Sequence, residues 1–195
     1  TGNFTAAGQP ITISTTTTTA AGISDTGTIN GGAVTLTSTQ TTSTATTTPI
    51  TATGLITANS LTVSGSGGAS TTIVSLGAIT INAGGGNISV TANNAAAGSN
   101  TGITQTGAIT NNAIGSSLSF ISNNKISQTG AIALVANTGT SAANITYDTT
   151  TGNNTSTITS AVPTVTGTSG CCKPPGATRV CLTASSRRTC RARLR

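Results

Sequence analysis

The sequence contains no histidine, no glutamate, no methionine and no tryptophan, and its acidic residues are Asp25 and Asp148 alone. Each absence removes a chemistry. Without histidine there is no Ser-His-Asp triad, no imidazole base and no histidine metal site. Paired-carboxylate catalysis would need Asp25 and Asp148 to meet, and they lie 123 positions apart. The clustered acids of polysaccharide-cleaving β-helices and the acid-rich calcium repeats are missing as well. Aromatic residues are limited to Phe4, Phe120 and Tyr147, so a globule packed around large rings is excluded. There is no run of 18 apolar residues, hence no transmembrane helix. Residues 1–170 lack cysteine, as fits export through an oxidising space without need of disulfide staples. With no methionine and no basic-then-apolar leader, the chain reads as an internal piece of a longer precursor.

What is present is threonine, 44 of residues 1–170, with glycine, alanine, asparagine and serine supplying most of the rest. Threonine, isoleucine and valine favour strands, and a mean hydropathy of +0.13 is not that of a charged disordered chain. Charge is segregated. Residues 1–170 hold Asp25, Lys125 and Asp148, a formal −1, whereas residues 171–195 hold Lys173 and six arginines, a formal +7. The sequence pI of about 9.9 therefore describes the end of the chain. It gives no ground for a specific nucleic-acid partner of the body.

Five apolar pairs organise the body: Val34/Leu36, Leu61/Val63, Ile88/Val90, Leu118/Phe120 and Ile145/Tyr147. Their first members are 27, 27, 30 and 27 residues apart, and each pair flanks one small hydroxyl residue. Alternation of this kind is strand periodicity, and a fixed period of this length is the mark of a repeat architecture. A second phrase, Gly-x-Ile, leads each unit at Gly27, Gly54, Gly77, Gly107 and Gly130, at looser spacings of 27, 23, 30 and 23. Turns of variable length between fixed strands account for the difference. Turn signals lie at Asn30-Gly31-Gly32, Gly65–Gly68, Asn82–Asn87, Asn111-Asn112 and Asn137–Gly139. The Thr15–Thr19 run reads either as linker or as strand. No 3.6-residue apolar spacing persists, so no helix is predicted.

The expectation is an all-β, single-stranded right-handed parallel β-helix with about 23–30 residues per coil over residues 1–170. The hand rests on the general crossover preference. Six or seven coils would make a rod of roughly 30 Å. Its core is a thin column that ten residues should share: Val34, Leu36, Leu61, Val63, Ile88, Val90, Leu118, Phe120, Ile145 and Tyr147, with Tyr147 near one end. Residues 171–195 form a separate basic segment rich in cysteine and arginine, expected to be disordered or non-native. Its vocabulary suggests a shifted reading frame or a cloning-type junction, with a genuine basic arm as the rival reading.

No motif supplies a catalytic, cofactor or metal site. Gly65-Ser66-Gly67-Gly68 lacks the Lys-Ser or Lys-Thr of a phosphate loop. Cys171, Cys172, Cys181 and Cys190 lack paired Cys-x-x-Cys spacing; adventitious disulfides, in one of three pairings, or free thiols are the readings left. Asn3, Asn87, Asn144, Asn153 and Asn154 match the glycosylation pattern, as composition alone would produce.

The phrases Gly77-Ala78-Ile79-Thr80-Ile81, Gly86-Asn87-Ile88-Ser89-Val90-Thr91-Ala92 and Thr129-Gly130-Ala131-Ile132-Ala133-Leu134-Val135-Ala136-Asn137 resemble repeats of filamentous-haemagglutinin-like exoproteins. They also resemble the passenger stalks of autotransporter adhesins. The resemblance covers about residues 22–160. It implies a right-handed β-helix, export to a Gram-negative cell surface and a stalk or adhesive role, and it carries over no catalytic residue. The function expected is a non-catalytic structural and adhesive segment of a large secreted or surface protein. Host or matrix glycans and proteins, or like chains, would be its partners, with end-to-end self-association. Two alternatives stand beside it. One is an ice-binding solenoid, suggested by Thr35-Leu36-Thr37 and Thr51-Ala52-Thr53 and opposed by Asn87-Ile88-Ser89 and Ser117-Leu118-Ser119, taken as breaks in the array. The other is a carbohydrate-active β-helix enzyme, opposed by the missing acids.

Overall fold

The chain coils into a parallel β-solenoid. The structure, a computed structural model, describes residues 2–68, 72–95, 101–135, 144–149, 158–160 and 164–166; for Asn144 and the last two segments it gives backbone alone. In chain order the strands are β1 (Phe4–Ala6), β2 (Ile11–Thr17), β3 (Ile23–Asp25), β4 (Ile29–Gly31), β5 (Ala33–Gln40), β6 (Ile50–Ala52), β7 (Ile56–Ala58), β8 (Ser60–Gly67), β9 (Val74–Leu76) and β10 (Ile79–Ile81). They continue as β11 (Ile88–Asn94), β12 (Thr101–Gln105), β13 (Ile109–Asn111), β14 (Ser117–Ser122), β15 (Lys125–Gln128), β16 (Ile132–Val135), β17 (Asn144–Asp148), β18 (Ile158–Ser160) and β19 (Thr164–Thr166). There is no helix among the described residues.

Every third strand pairs, always in parallel, so each turn of the chain contributes one strand to each of three sheets. Sheet 1 runs β1-β4-β7-β10-β13-β16-β19, sheet 2 runs β2-β5-β8-β11-β14-β17, and sheet 3 runs β3-β6-β9-β12-β15-β18. Seven strands in sheet 1 span six spacings of about 4.8 Å, about 29 Å along the axis, which matches the rod length expected from the repeat.

The pairing register confirms the apolar pairs as one column. Val34 lies opposite Leu61, Leu61 opposite Ile88, Ile88 opposite Leu118 and Leu118 opposite Ile145, while Leu36, Val63, Val90, Phe120 and Tyr147 align beside them. All ten are buried. Ile11 and Ile13 extend the column by one turn, in register with Val34 and Leu36. Tyr147 is enclosed rather than exposed: its ring stacks on Phe120 with centroids 5.5 Å apart, and its hydroxyl donates to Gln128 Oε1 at 3.3 Å. The Gly-x-Ile phrase builds sheet 1, with Ile29, Ile56, Ile79, Ile109 and Ile132 stacked in that order.

Sheet 3 was not legible as a repeat. Its strands Ile23-Ser24-Asp25, Ile50-Thr51-Ala52, Val74-Ser75-Leu76, Ile103-Thr104-Gln105 and Ile126-Ser127-Gln128 align residue for residue. They share the apolar–hydroxyl grammar of the other sheets, but their second inward residue is aspartate, alanine, leucine or glutamine. The apolar pair that marks sheet 2 is therefore missing from them.

The turn assignments need three corrections. Gly65 and Gly67 lie within β8, because a Cβ on Gly65 would meet Val74 and Ile73 at 2.8 and 2.9 Å; the glycines make room for sheet 3. Asn30 and Gly31 belong to β4 and Asn111 to β13, and Asn30-Gly31-Gly32 uses no positive φ, which occurs at Gly8, Gly84 and Gly115. The Thr15–Thr17 part of the threonine run is strand, paired with Ser38, Thr39 and Gln40. The turn at Asn137–Gly139 and residues 171–195 lie outside the described residues.

Candidate functional site

The corner from sheet 3 to sheet 1 is the tightest part of the coil and explains the leading glycine. A Cβ on Gly54 would stand 1.7 Å from the Gly27 carbonyl oxygen, and one on Gly130 would stand 1.7 Å from that of Gly107. The backbones touch there, so only hydrogen fits. Beside the glycines run axial hydrogen bonds: the amides of Ile29, Ile56, Ile79 and Ile109 donate to the carbonyls of Leu55, Ala78, Ala108 and Ala131 at 2.7–3.0 Å.

The same corner holds the buried polar groups. Gln105 Nε2 donates to the carbonyls of Gly77 and Gly107. Gln128 Nε2 donates to Gly130 O and, at 3.0 Å, to Gln105 Oε1, so the two amides form a ladder that ends at Tyr147. Asp25 occupies the equivalent place in the first turn and accepts from the Gly27 amide at 3.1 Å. Each of these groups bonds the backbone of the corner, although Asp25 Oδ2 is buried with no hydrogen-bond partner among the described residues.

The sequence-level candidates are scattered accordingly. Asp25 ends β3 and Asp148 ends β17. Sheet 2 places the turns that carry them five spacings apart, about 24 Å along the axis. Lys125 opens β15 in sheet 3, paired with Thr101. Asn3 and Asn87 spend their side-chain oxygens on the amides of Thr28 (2.9 Å) and Ser117 (2.7 Å), so both tie one turn to the next. Asn153, Asn154 and the four cysteines lie outside the described residues. No three metal-ligating side chains converge among the described residues, and no helix there is long and apolar enough to cross a membrane.

The outward faces carry the accessible chemistry. On sheet 2 the hydroxyls of Thr12, Thr35, Thr62, Ser89, Ser119 and Thr146 align in one column. On sheet 3 Ser24, Thr51, Ser75, Thr104 and Ser127 form another. Sheet 1 aligns Thr57, Thr80 and Thr110. This register corrects one comparison made from sequence. Thr35-Leu36-Thr37 corresponds to Thr62-Val63-Ser64, Ser89-Val90-Thr91 and Ser119-Phe120-Ile121. Asn87-Ile88-Ser89 and Ser117-Leu118-Ser119 sit one position pair earlier, since Ile88 and Leu118 align with Val34; the break in the array comes instead at Ile121, which takes the place of Thr37.

The fold and its faces define the chain as a three-sided β-solenoid with hydroxyl-lined sides. It matches no protein-family profile, no curated protein and no solved structure.

Proposed function

We propose that this chain is a non-catalytic structural and adhesive segment of a large secreted protein, displayed on the exterior of a bacterial cell. The observation that carries the reading is the unbroken stacking of three parallel sheets, the longest of them seven strands deep. Such a stack converts sequence length into axial length at about 4.8 Å per turn, with each turn supported by its neighbours alone. A spacer needs this property, and adding turns extends it without redesigning a core. A non-catalytic role is supported by the absence of histidine and glutamate and by the axial separation of Asp25 and Asp148. The nearly uncharged hydroxyl faces suit broad, weak contacts with glycans, matrix proteins or like chains. The resemblance of the Gly-x-Ile and Ile-x-Val phrases to exported adhesin repeats points to the same setting.

Small-angle scattering of the full chain, combined with retention on immobilised matrix proteins and glycans, tests the proposal. The expected result is the scattering of an ordered body about 29 Å along its axis, not of an expanded chain, with low-affinity, multivalent retention. An expanded-coil profile, or a folded chain that no surface retains at any density, overturns it.

A further inference from the structure

Sheet 2 differs from the other two faces in width. Its strands β2, β5, β8 and β11 have seven or eight residues, whereas most strands of sheets 1 and 3 have three. Four consecutive turns therefore each present three outward side chains: Thr12/Ser14/Thr16, Thr35/Thr37/Thr39, Thr62/Ser64/Ser66 and Ser89/Thr91/Asn93. The pairing runs through these strands without a shift, in contrast to sheet 3, where the register slips between Thr101 and Ile103. The twelve positions form a grid of three columns, and all but Asn93 carry a hydroxyl. Its repeats are about 4.8 Å across the strands and about 6.6 Å along them, giving a patch of about 13 Å by 14 Å.

Three observations select the ligand. First, the grid has no charged and no aromatic side chain. Tight binding of one soluble sugar uses a stacked ring, tight binding of a protein an apolar or aromatic anchor, and binding of nucleic acid cations. None of these is on the face. Second, the grid's hydroxyls make no hydrogen bond to other described protein groups, whereas the corner groups Thr47, Ser116 and Gln105 are tied to carbonyls. The outward hydroxyls are left to order water. Third, the threonines among them are stiff at χ1 and sit on a hydrogen-bonded sheet, so their positions are fixed before any ligand arrives. A rigid, neutral grid of hydroxyls and methyls with two regular spacings is complementary to another lattice. The spacing across the strands, about 4.8 Å, lies close to the shortest lattice repeat of hexagonal ice.

We infer that the sheet 2 face over β2, β5, β8 and β11 binds the surface of ice, through water ordered on its hydroxyl grid. The adhesive reading rests on the stacking of the rod and on all three hydroxyl faces together, so failure of the ice test and failure of that reading show up in separate assays.

The test uses the full chain with polycrystalline ice as the probe. Slow freezing partitions protein between ice and liquid, and recrystallisation of fine-grained ice is followed under a microscope. The expected result is enrichment of the chain in the ice fraction and arrest of grain growth. Thr37→Tyr combined with Ser64→Tyr places two rings on the grid and should reduce ice capture at least tenfold. Thr51→Tyr, on sheet 3, should leave it unchanged. Far-UV circular dichroism checks that each variant keeps its β signal. Should the tyrosine pair unfold the chain, Thr37→Lys tests the same point with one flexible side chain. Exclusion of the unaltered chain from ice overturns the inference without affecting the scattering test of the rod. Equal loss in Thr51→Tyr, or full capture by the folded sheet 2 variants, overturns the assignment of the face.

Discussion

Replacing Gly54 with alanine tests the reason given for the Gly-x-Ile phrase. The added Cβ would lie 1.7 Å from Gly27 O, 2.6 Å from Gly27 C and 2.8 Å from Thr26 O. All three are backbone atoms, so no side chain can swing aside. Ordinary contact begins near 3.4 Å, and the two turns must separate by about 1.7 Å at a corner where they are about 4.8 Å apart. The axial bonds beside the corner, Thr53 N to Asp25 O and Ile29 N to Leu55 O, are each 3.0 Å and would stretch beyond bonding distance. Two lost hydrogen bonds cost about 2 kcal/mol and overpacking adds about 1–3 kcal/mol. The smaller entropy of the unfolded alanine chain returns less than about 1 kcal/mol. The net expectation is a loss of about 3–4 kcal/mol, or a fall of about 10 °C in the thermal midpoint. Thermal and urea unfolding of the full chain by circular dichroism measures it. Gly84→Ala is the comparison: Gly84 has φ +77° and no atom within 4 Å of a built Cβ, so only left-handed strain, about 1–2 kcal/mol, applies there. If Gly54→Ala is no worse than Gly84→Ala, close backbone approach is not what the phrase encodes.

Ile88 is fully buried in the sheet 2 column, and Ile88→Asp should cost more than about 4 kcal/mol by burying an unpaired charge. Ser89→Asp, on the outward side of the same strand, should change stability by about 0.5 kcal/mol or less; similar melting curves for the two would show the register to be wrong. Tyr147→Phe removes the hydrogen bond to Gln128 and should cost about 1 kcal/mol, while Phe120→Ala, which also loses the ring stack, should cost about 3–5 kcal/mol; denaturant titration gives the order of the two. At the first turn Phe4 occupies an interior register yet is 45% exposed, and β1, β2 and β3 are the terminal strands of their sheets. The chain should therefore self-associate with rising concentration, and light scattering constant over a wide concentration range would refute this. Any binding to nucleic acid or acidic surfaces should come from the seven cations of residues 171–195 and weaken steeply with salt. Retention of such binding after deletion of these residues would place a site in the body.

Much of this architecture is local in origin and was readable from the chain. Alternation at Val34/Leu36 and its four successors gives strand with one buried side, because a pleated backbone sends successive side chains to opposite faces. The recurrence of that pair makes stacking parallel, since each turn must return to the same place in the same direction. The lack of histidine and glutamate limits the chemistry before any coordinates exist. Other features depend on which residues meet across turns. Sheet 3 carries no repeating apolar pair because Asp25, Gln105 and Gln128 point inward, where carbonyls and amides of the corner bond them. Glycine at 65 and 67 reads as a turn by itself, yet the crowding of Ile73, Val74 and Gln40 makes it strand. The hydroxyl columns follow the apolar pairs: Leu36 lies with Val63 and Val90, so Thr35-Leu36-Thr37 aligns with Thr62-Val63-Ser64 and Ser89-Val90-Thr91. Periodicity fixes which face a side chain takes within its own strand. Only the hydrogen-bonded register between strands decides which side chains from different turns share a column.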